Sequence, residues 1–429
     1  MYNPGKALFL KLLYFGFFLV GAYLTLGRFT TNISLYQLGQ IFGTFSLTGL
    51  TLQLWMGVRV KILERGVGLP QILKWHSLNG KLTLLFVLLH PLLMFGPFIL
   101  DGMNPLDLIA SYTIYHWFGV SALLLIMFTL VITLWQAKLK VNYEHWKFLH
   151  KVGYLIIFLG FTHALFIGSD IVSRGPLYYW WWILLTMTVG AVAYRYGIRN
   201  IALRDSLYRI VEVVKESSNV RSIVMEPMSR KVMSYFPGQF AFVKFYSEGV
   251  SPEEHHFTLS SAPCRVPGGM ISFTVKGVGD YTKMLGNLKT GDKARIEGPF
   301  GVFSNEGLSG PFVFIAGGIG ITPIMSMIRG MRDSGRGEET LLIYSAKTTS
   351  DLVFKKELDD LARRTDWFRA VYLVGKHVDL KILKTEVKDF KNSKFFVCGP
   401  SLMMDLVEKL LLENGARKEV IFTEKFALK

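Results

Sequence analysis

The chain has 429 residues, 51% of them hydrophobic, and a mean hydropathy of +0.34, more apolar than a soluble enzyme of this length usually is, so part of it belongs in a membrane. Its formal charge is +16, yet the Lys and Arg residues are scattered or flank apolar runs, which argues against a nucleic-acid-binding face and fits anchors at a membrane edge. Two cysteines, Cys264 and Cys398, exclude a disulfide framework or a cysteine-rich metal site.

The first apolar run, "KALFLKLLYFGFFLVGAYLTL", is as long as a bilayer span and lacks a small-residue cleavage site, so it reads as a helix that stays. Further runs at about 34–58, 75–97, 112–135, 149–168 and 176–198 bring the expected spans to six, each near the roughly 20 residues a bilayer core demands. The connection 59–74 carries Arg59, Lys61, Arg65 and Lys74, and 136–151 carries Lys138, Lys140, Lys147 and Lys151. Those loops are expected in the cytoplasm. The alternate loops hold only Arg28 and Arg174 as basic residues and are expected outside. Both termini and everything beyond residue 200 then face the cytoplasm from the cell membrane.

Beyond about Asn200 the pattern changes. The runs "FAFVKFY", "MISFTVKG" and "KARIEGPFG", broken by Gly and Pro, suggest a small antiparallel β-barrel. From Pro311, strand-like "FVFIA", "TLLIYSA", "RAVYLV" and "KFFVC" alternate with helix-like segments, the signature of a parallel α/β nucleotide-binding sheet. The expected organisation is therefore a six-helix all-α transmembrane domain over 1–200, a β-barrel domain over 205–305 and an α/β domain over 308–429.

Four histidines stand out in the apolar half. "KWHSLNGKLTLLFVLLHPLLMF" sets His76 and His90 fourteen residues apart, and "KFLHKVGYLIIFLGFTHALFIG" sets His150 and His163 thirteen apart. Ionisable residues at membrane depth are costly and are usually retained for a site. At 1.5 Å per residue the two pairs are separated by about 21 and 19.5 Å along their helices, so two levels of the bilayer are marked on both. His76 and His150 share one level and His90 and His163 the other, as ligation of two haem irons by paired imidazoles requires. Fourteen residues return to within about 40° of the starting face, but thirteen fall about 140° away, so local overwinding or an irregular helix start at His150 must make up the difference.

A six-helix unit with these four histidines on its third and fifth helices resembles the di-haem core of the NADPH oxidase and ferric reductase superfamily, and the soluble motifs extend the resemblance over nearly the whole chain. "HHFTLSSAP" resembles the superfamily's flavin segment. The resemblance assigns His255 to the FAD phosphates, Phe257 to packing on the flavin ring and Thr258 to a hydrogen bond near the hydride-accepting nitrogen, with Ser260 and Ser261 beside them. His256 stands where proline is usual. "VKGVGDYTKML" offers Lys276, Gly279 and Thr282 to the pyrophosphate. "GGIGITP", between a strand and a helix, places Gly317, Gly318, Gly320, Thr322 and Pro323 as a phosphate-cradling loop that looks like the nicotinamide-nucleotide loop of ferredoxin-reductase folds. Ser345 and Lys347 are candidates for an adenosine 2′-phosphate, favouring NADPH over NADH. "FFVCGP" sets Cys398, Gly399 and Pro400 where the family's catalytic cysteine sits beside the nicotinamide, and Phe426 resembles the terminal ring that covers the flavin.

The resemblance implies a wire from cytoplasmic NADPH through FAD and two haem b groups to an acceptor on the outer face. FAD converts hydride into single electrons. Oxygen reduced to superoxide and an extracellular ferric chelate are both compatible acceptors. Oxygen-reducing members keep a basic group beside the outer haem, whereas here Met94 follows His90 by one turn and the outer end of the second helix has Gln37 and Gln40, leaving His116 as a substitute. Lys147, Lys151 and Arg195 are candidates for the haem propionates. A single-chain form of prokaryotic type, without an obligatory protein partner, is expected. A haem-binding redox module fed by a protein partner is the alternative of another class.

Overall fold

The computed structural model describes residues 4–27, 33–136, 138–141, 143–168, 175–229, 232–263 and 269–424. Phe426, Cys264, Arg28 and Arg174 lie outside them. The chain divides into two compact units that meet in sequence between Ile198 and Arg199.

The N-terminal unit is helical: α1 (Pro4–Leu26), α2 (Leu35–Gly57), α3 (Lys61–Val67), α4 (Leu69–Leu100), α5 (Pro105–Ala110), α6 (Ile114–Trp135), α7 (Tyr143–His150), α8 (Gly153–Ile167) and α9 (Pro176–Ala193), the last running into a π-helical turn at Tyr194–Ile198. Among the described residues, four stretches are long and apolar enough to cross a membrane: Gly5–Leu26, Leu69–Leu100, Ile114–Trp135 and His145–Ile167. The expected runs at 34–58 and 176–198 are helices too, but less apolar. The reason for α2 is its position: Thr44, Ser46, Thr48 and Thr51 are buried against neighbouring helices, so this helix has little surface to match to lipid.

Helices α2 and α4 pack antiparallel in a register set by small residues. Cβ positions built on Gly39, Gly43, Gly49 and Gly57 meet Met94, His90, Thr83 and His76 respectively, the close backbone approach that glycine permits between membrane helices. Helix α4 begins earlier than the expected 75, at Leu69, because Gly68 at φ +86° turns the chain and Pro70 fits the first helical turn. The expected span from 149 is interrupted. Between α7 and α8 the amides of Lys151, Val152 and Tyr154 bond three residues back, to Phe148, Leu149 and Lys151.

The C-terminal unit holds two sheets. The first contains β1 (Leu207–Lys215), β2 (Val220–Pro227), β3 (Phe240–Tyr246), β4 (Glu254–Thr258), β5 (Ile271–Lys276) and β6 (Lys293–Phe300), paired antiparallel in the order β4-β3-β6-β1-β2-β5. Alternation buries Phe245, Phe273, Ile210 and Ile223 on its inner face. Beyond β4, a bridge from Leu259 to Phe273 and the hydrogen bonds of Ser260 and Ser261 to Ser272 and Thr274 link the chain to β5; what is described is an antiparallel sheet with those contacts along its seam. A short helix, α10 (Asp280–Met284), follows β5.

The second sheet is parallel, in the order β11-β10-β7-β8-β9, from β7 (Phe312–Gly317), β8 (Thr340–Ala346), β9 (Phe368–Val374), β10 (Lys394–Cys398) and β11 (Ile421–Glu424). Helices α11 (Ile321–Asp333), α12 (Lys355–Arg364), α13 (Leu380–Glu386) and α14 (Ser401–Glu413) connect its strands. Strand order reverses between β7 and β10, the place where open α/β sheets bind ligands at their strand C-termini. The sheets are braced to each other through α11: Ser326 Oγ donates to Ser261 O at 2.7 Å and Arg329 Nη1 to Ser260 O at 2.7 Å.

Candidate functional site: paired histidines and a dehydrogenase crevice

Each sequence-predicted histidine pair is brought together, its rings inclined by 56° in His76–His150 and by 81° in His90–His163. The rings of His76 and His150 have centroids 5.9 Å apart, and those of His90 and His163 are 6.2 Å apart. Two imidazoles that grip one iron from opposite sides, each with its ring centre about 3 Å from the metal, stand about 6 Å apart. The donor set fits a porphyrin iron in a second way. Among the described residues no group of three or more His, Cys, Asp or Glu side chains could hold a bare metal ion. Two protein ligands suffice where a macrocycle supplies the rest.

The tautomer of the His90–His163 pair is fixed by the backbone. His90 Nδ1 lies 2.8 Å from Gly39 O and His163 Nδ1 lies 3.0 Å from Tyr115 O. A carbonyl only accepts, so both Nδ1 atoms carry the proton and both Nε2 atoms keep the lone pair a metal needs. Close seating makes this possible: Cβ atoms on Gly43 and Gly119 would stand 2.9 Å from His90 Nδ1 and 2.6 Å from His163 Nδ1. In the other pair, Nδ1 of His76 and Nδ1 of His150 are buried with no hydrogen-bond partner among the described residues. His150 is instead stacked on Trp146 at 5.0 Å, and Trp146 Nε1 donates to Thr133 Oγ1 at 3.2 Å.

The residues expected around these levels take varied places. Arg195 Nη1 reaches Gly57 O at 3.4 Å, beside His76, while Lys147 is half-buried and Lys151 exposed. Met94 packs on Gly39. Gln37 closes the N-terminal cap of α2 with Ser34. His116 is likewise a cap: its Nδ1 accepts from Thr113 N at 3.1 Å while its ring stacks on Tyr112 at 5.0 Å.

In the antiparallel sheet, alternation along β4 puts His255 and Phe257 on one face, with their rings stacked at 6.5 Å. His255 also stacks on Tyr281 at 3.7 Å, and its Nε2 lies 3.0 Å from Glu253 Oε2. The expected flavin and pyrophosphate segments therefore meet at the His255–Tyr281 contact. His256, at the position where proline is usual, leaves β4 in register, opposite Phe242 on β3, with its ring between Phe240 and Phe242. Thr282 Oγ1 accepts from the amides of Val278 and Gly279, both at 3.0 Å.

Other candidates point into the fold. Ser260 is fully buried, with Oγ bonded to Ser272 and Thr274, and Ser261 Oγ meets Tyr235 OH at 2.8 Å. Thr258 is buried. Lys276 is paired with Asp351 at 3.3 Å. The hydrogen bond from Thr348, together with the Lys276 charge, outweighs the opposing effect of burial and holds the Asp351 carboxyl below its usual range.

The crevice between β7 and β10 gathers most of the nucleotide candidates. A Cβ on Gly320 would lie 2.2 Å from Cys398 O, one on Gly399 would meet Met403 Cε at 2.7 Å, and one on Gly317 would meet Pro400 Cδ at 2.8 Å. Gly318 has φ +54°, a conformation that favours glycine. Thr322 Oγ1 donates to Ile319 O at 3.1 Å and Pro323 is buried behind the loop. Cys398 Sγ lies 3.5 Å from Glu424 O, and burial, then the Glu424 charge, pushes its thiol well up. Ser345 Oγ donates to Lys376 O at 2.7 Å and Lys347 is exposed at the next strand end. Sequence reasoning missed Gly39, Gly43, Tyr115 and Gly119 behind the histidines, and Met403 and Glu424 in the nucleotide crevice. Glycines recurring in an apolar helix were the available signal.

Two family models match the chain: a ferric reductase like transmembrane component over residues 42–161 and an oxidoreductase NAD-binding domain over 314–409. The C-terminal half is 29% identical over 232 residues to the glycine betaine monooxygenase reductase subunit of Pseudomonas aeruginosa, covering 49% of this chain and 61% of that protein. It is 29% identical over 252 residues to flavohemoprotein A of Dictyostelium discoideum, covering 52% and 61%. The chain thus spans about three fifths of those relatives' length. Among solved structures, the FAD/NAD-binding domain of a nitric oxide dioxygenase from Vibrio cholerae aligns with TM-score 0.46 and 24% identity, over 52% of this chain and 98% of that one.

Proposed function

From a chain that matches the ferric reductase and NADPH oxidase superfamily fusion, a transmembrane component joined to an FAD- and NAD-binding reductase, we propose electron transfer across the cell membrane from cytoplasmic NADPH to an acceptor on the outer face. The observation that carries this reading is the pair of ring separations, 5.9 and 6.2 Å, at two levels of one helical unit. When bound, FAD splits a hydride into single electrons and a haem b between each histidine pair carries them one at a time.

The chain's own task is positioning. Under this reading the N-terminal unit is a six-helix bundle over residues 1–200, in which Gly43 and Gly119 seat the rings of His90 and His163, and Gly39 O and Tyr115 O fix their tautomer. The first sheet, within 205–305, is the wall of a barrel on which His255, Phe257 and Tyr281 present stacked rings to FAD, with Gly279 and Thr282 at its pyrophosphate. In 308–429 the crevice of Gly317, Gly318, Gly320, Gly399 and Pro400 takes the nucleotide, Ser345 and Lys347 its 2′-phosphate, and buried Cys398 lines the nicotinamide. No acid, base or nucleophile is demanded.

Oxygen, giving superoxide, is the acceptor proposed. A ferric chelate is the second reading, favoured by Met94: an apolar thioether, in place of a basic group, packs beside the His90 level.

The optical spectrum of the detergent-solubilised protein, supplied with haem and FAD, tests this directly. NADPH with no partner protein present should reduce two b-type haems, and admission of air or of a ferric chelate identifies the acceptor by which of them reoxidises the haems. His90→Ala should remove one haem and leave flavin reduction intact. A colourless protein, or flavin reduction lost with His90, sinks the reading.

A further inference from the structure

The outward face of the first sheet gathers cations at one end. Cross-strand register sets Lys244 on β3 opposite Arg295 on β6, and Arg209 on β1 opposite Lys293 on β6, so two like-charged pairs lie side by side on neighbouring rows. Like charges directly opposite each other destabilise a sheet. The carboxylates that would offset them are drawn off: Glu254, opposite Lys244, and Glu297, two residues from Arg295, both bind Arg199. Glu226, opposite Arg209 at 3.8 Å, offsets one cation. Among the described residues, Lys244, Lys293 and Arg295 have no acidic partner. Such a field is relieved where the face meets a surface of opposite sign.

We propose that this face docks on the anionic lipid headgroups of the membrane that the helical unit spans. Two observations favour lipid over an acidic protein. The first is place in the chain: Arg199 follows directly on the turn Tyr194–Ile198 that ends the helical unit, and its guanidinium is bonded to Glu297, on the same face of β6 as Arg295 and Lys293. At about 3.3 Å per residue, those two cations lie roughly 7 and 13 Å along the strand from Glu297. They are thus tethered close to the point where the chain leaves its last membrane helix. Lys and Arg clustered there are drawn to acidic lipid. The second is composition: Tyr246, in the row of Lys293 and Arg209, and Met228, whose amide bonds Leu207 O in the row of Arg295, are both 41% exposed. An amphipathic ring and an apolar thioether among cations suit the headgroup region.

The inference rests on the helical unit lying in a membrane and needs neither haem nor flavin, so its failure and that of the electron path are separate. The experiment reconstitutes the full chain into nanodiscs of phosphatidylcholine, with or without phosphatidylglycerol, and acetylates its lysines with a succinimidyl ester. Mass spectrometry reads the rate at each lysine. Lys244 and Lys293 should react several-fold more slowly in the anionic discs, while Lys388, 83% exposed beyond α13, keeps its rate. Roughly 1 M salt, which shortens the screening length to about 3 Å, should abolish the difference. Inorganic phosphate added in detergent should not reproduce it.

Arg209→Gln combined with Arg295→Gln should bring the anionic-disc rates toward those in phosphatidylcholine, with far-ultraviolet circular dichroism reporting that the sheet still folds. If that variant does not fold, the wild-type comparison decides by itself. Equal rates in the two discs, equal slowing at Lys388, or protection by free phosphate would overturn the inference. Protection by polyglutamate but not by the anionic discs would overturn it too and assign the face to an acidic protein.

Discussion

A methyl group on Gly119 would stand 2.6 Å from Nδ1 of His163, the nitrogen that donates to Tyr115 O one turn earlier on the same helix. The ring is seated in a notch where one helix has no side chain, and the same holds for His90 against Gly43. Overpacking of this kind costs about 1–3 kcal/mol, enough to weaken ligation by roughly tenfold or more. On the proposed di-haem reading, Gly119→Ala should therefore lose haem from the His90–His163 level and spare the other, read as about half the haem per protein by pyridine haemochrome assay. Gly96→Ala, where nothing lies within 4 Å, is the control. Equal haem content in the two variants would show that the notch does not matter.

Gly320 is the corresponding point in the dehydrogenase crevice. Its added methyl would meet Cys398 O at 2.2 Å, a backbone atom that cannot swing away. Gly320→Ala should push the loop off the strand end, so that NADPH reduces the flavin at least tenfold more slowly while dithionite still reduces it fully. Stopped-flow flavin bleaching measures this, and an unchanged rate with NADPH contradicts it.

Arg199 sits in a charged cluster with Glu297 and Glu254. Its guanidinium bonds both oxygens of Glu297, Nε at 2.6 Å, and reaches Glu254 at 2.9 Å, with all three side chains largely buried. Removing one partner from such a set costs about 3–5 kcal/mol, because the remaining charge is stranded. Arg199→Ala should lower the temperature at which the bound flavin is released, and Arg199→Lys should do so by less, since it keeps the charge and loses the fork. If both variants melt like wild type, the cluster contributes nothing to holding the sheet.

Glu357 predicts an acid limit. Burial by itself would raise its carboxyl, but the fork from Arg329, with bonds of 2.9 and 2.5 Å, and then Arg332 outweigh burial and hold it below the usual range. A carboxyl depressed in the folded state adds stability above its unfolded value and loses it as the pH falls through the folded one. The loss should begin below the ordinary value of 4.5. Arg329→Ala should move the acid-unfolding midpoint of the flavin-binding unit upward, followed by flavin fluorescence. A midpoint unmoved or displaced downward refutes it.

The thirteen-residue spacing from His150 to His163 shows where local rules stop. An unbroken helix would leave the two rings on different faces. The chain instead ends α7 at His150 and makes three bonds of the three-residue kind, from the amides of Lys151, Val152 and Tyr154, at the junction with α8. Each such step winds about 20° further than an α-helical one, turning His150 toward the level it shares with His76. Apolar length placed the helices, but the tightened turn comes from packing around Trp146 and His76, which a single segment does not encode.

By itself the sequence determined the four histidines at two depths, the change of character near residue 200, the alternating strands from Phe312 and the glycine loops at their ends, because each is written in spacing or composition along one stretch of chain. Only the tertiary structure decided that α2 is an interior helix lined by threonines, that glycines on α2 and α6 seat the histidines of α4 and α8, and that Ser260 and Ser261 turn into the sheet while Lys276 turns to Asp351. Those outcomes depend on the register between segments far apart in the chain. A periodic pattern says which residues share a face; what that face meets is fixed only when its partner docks.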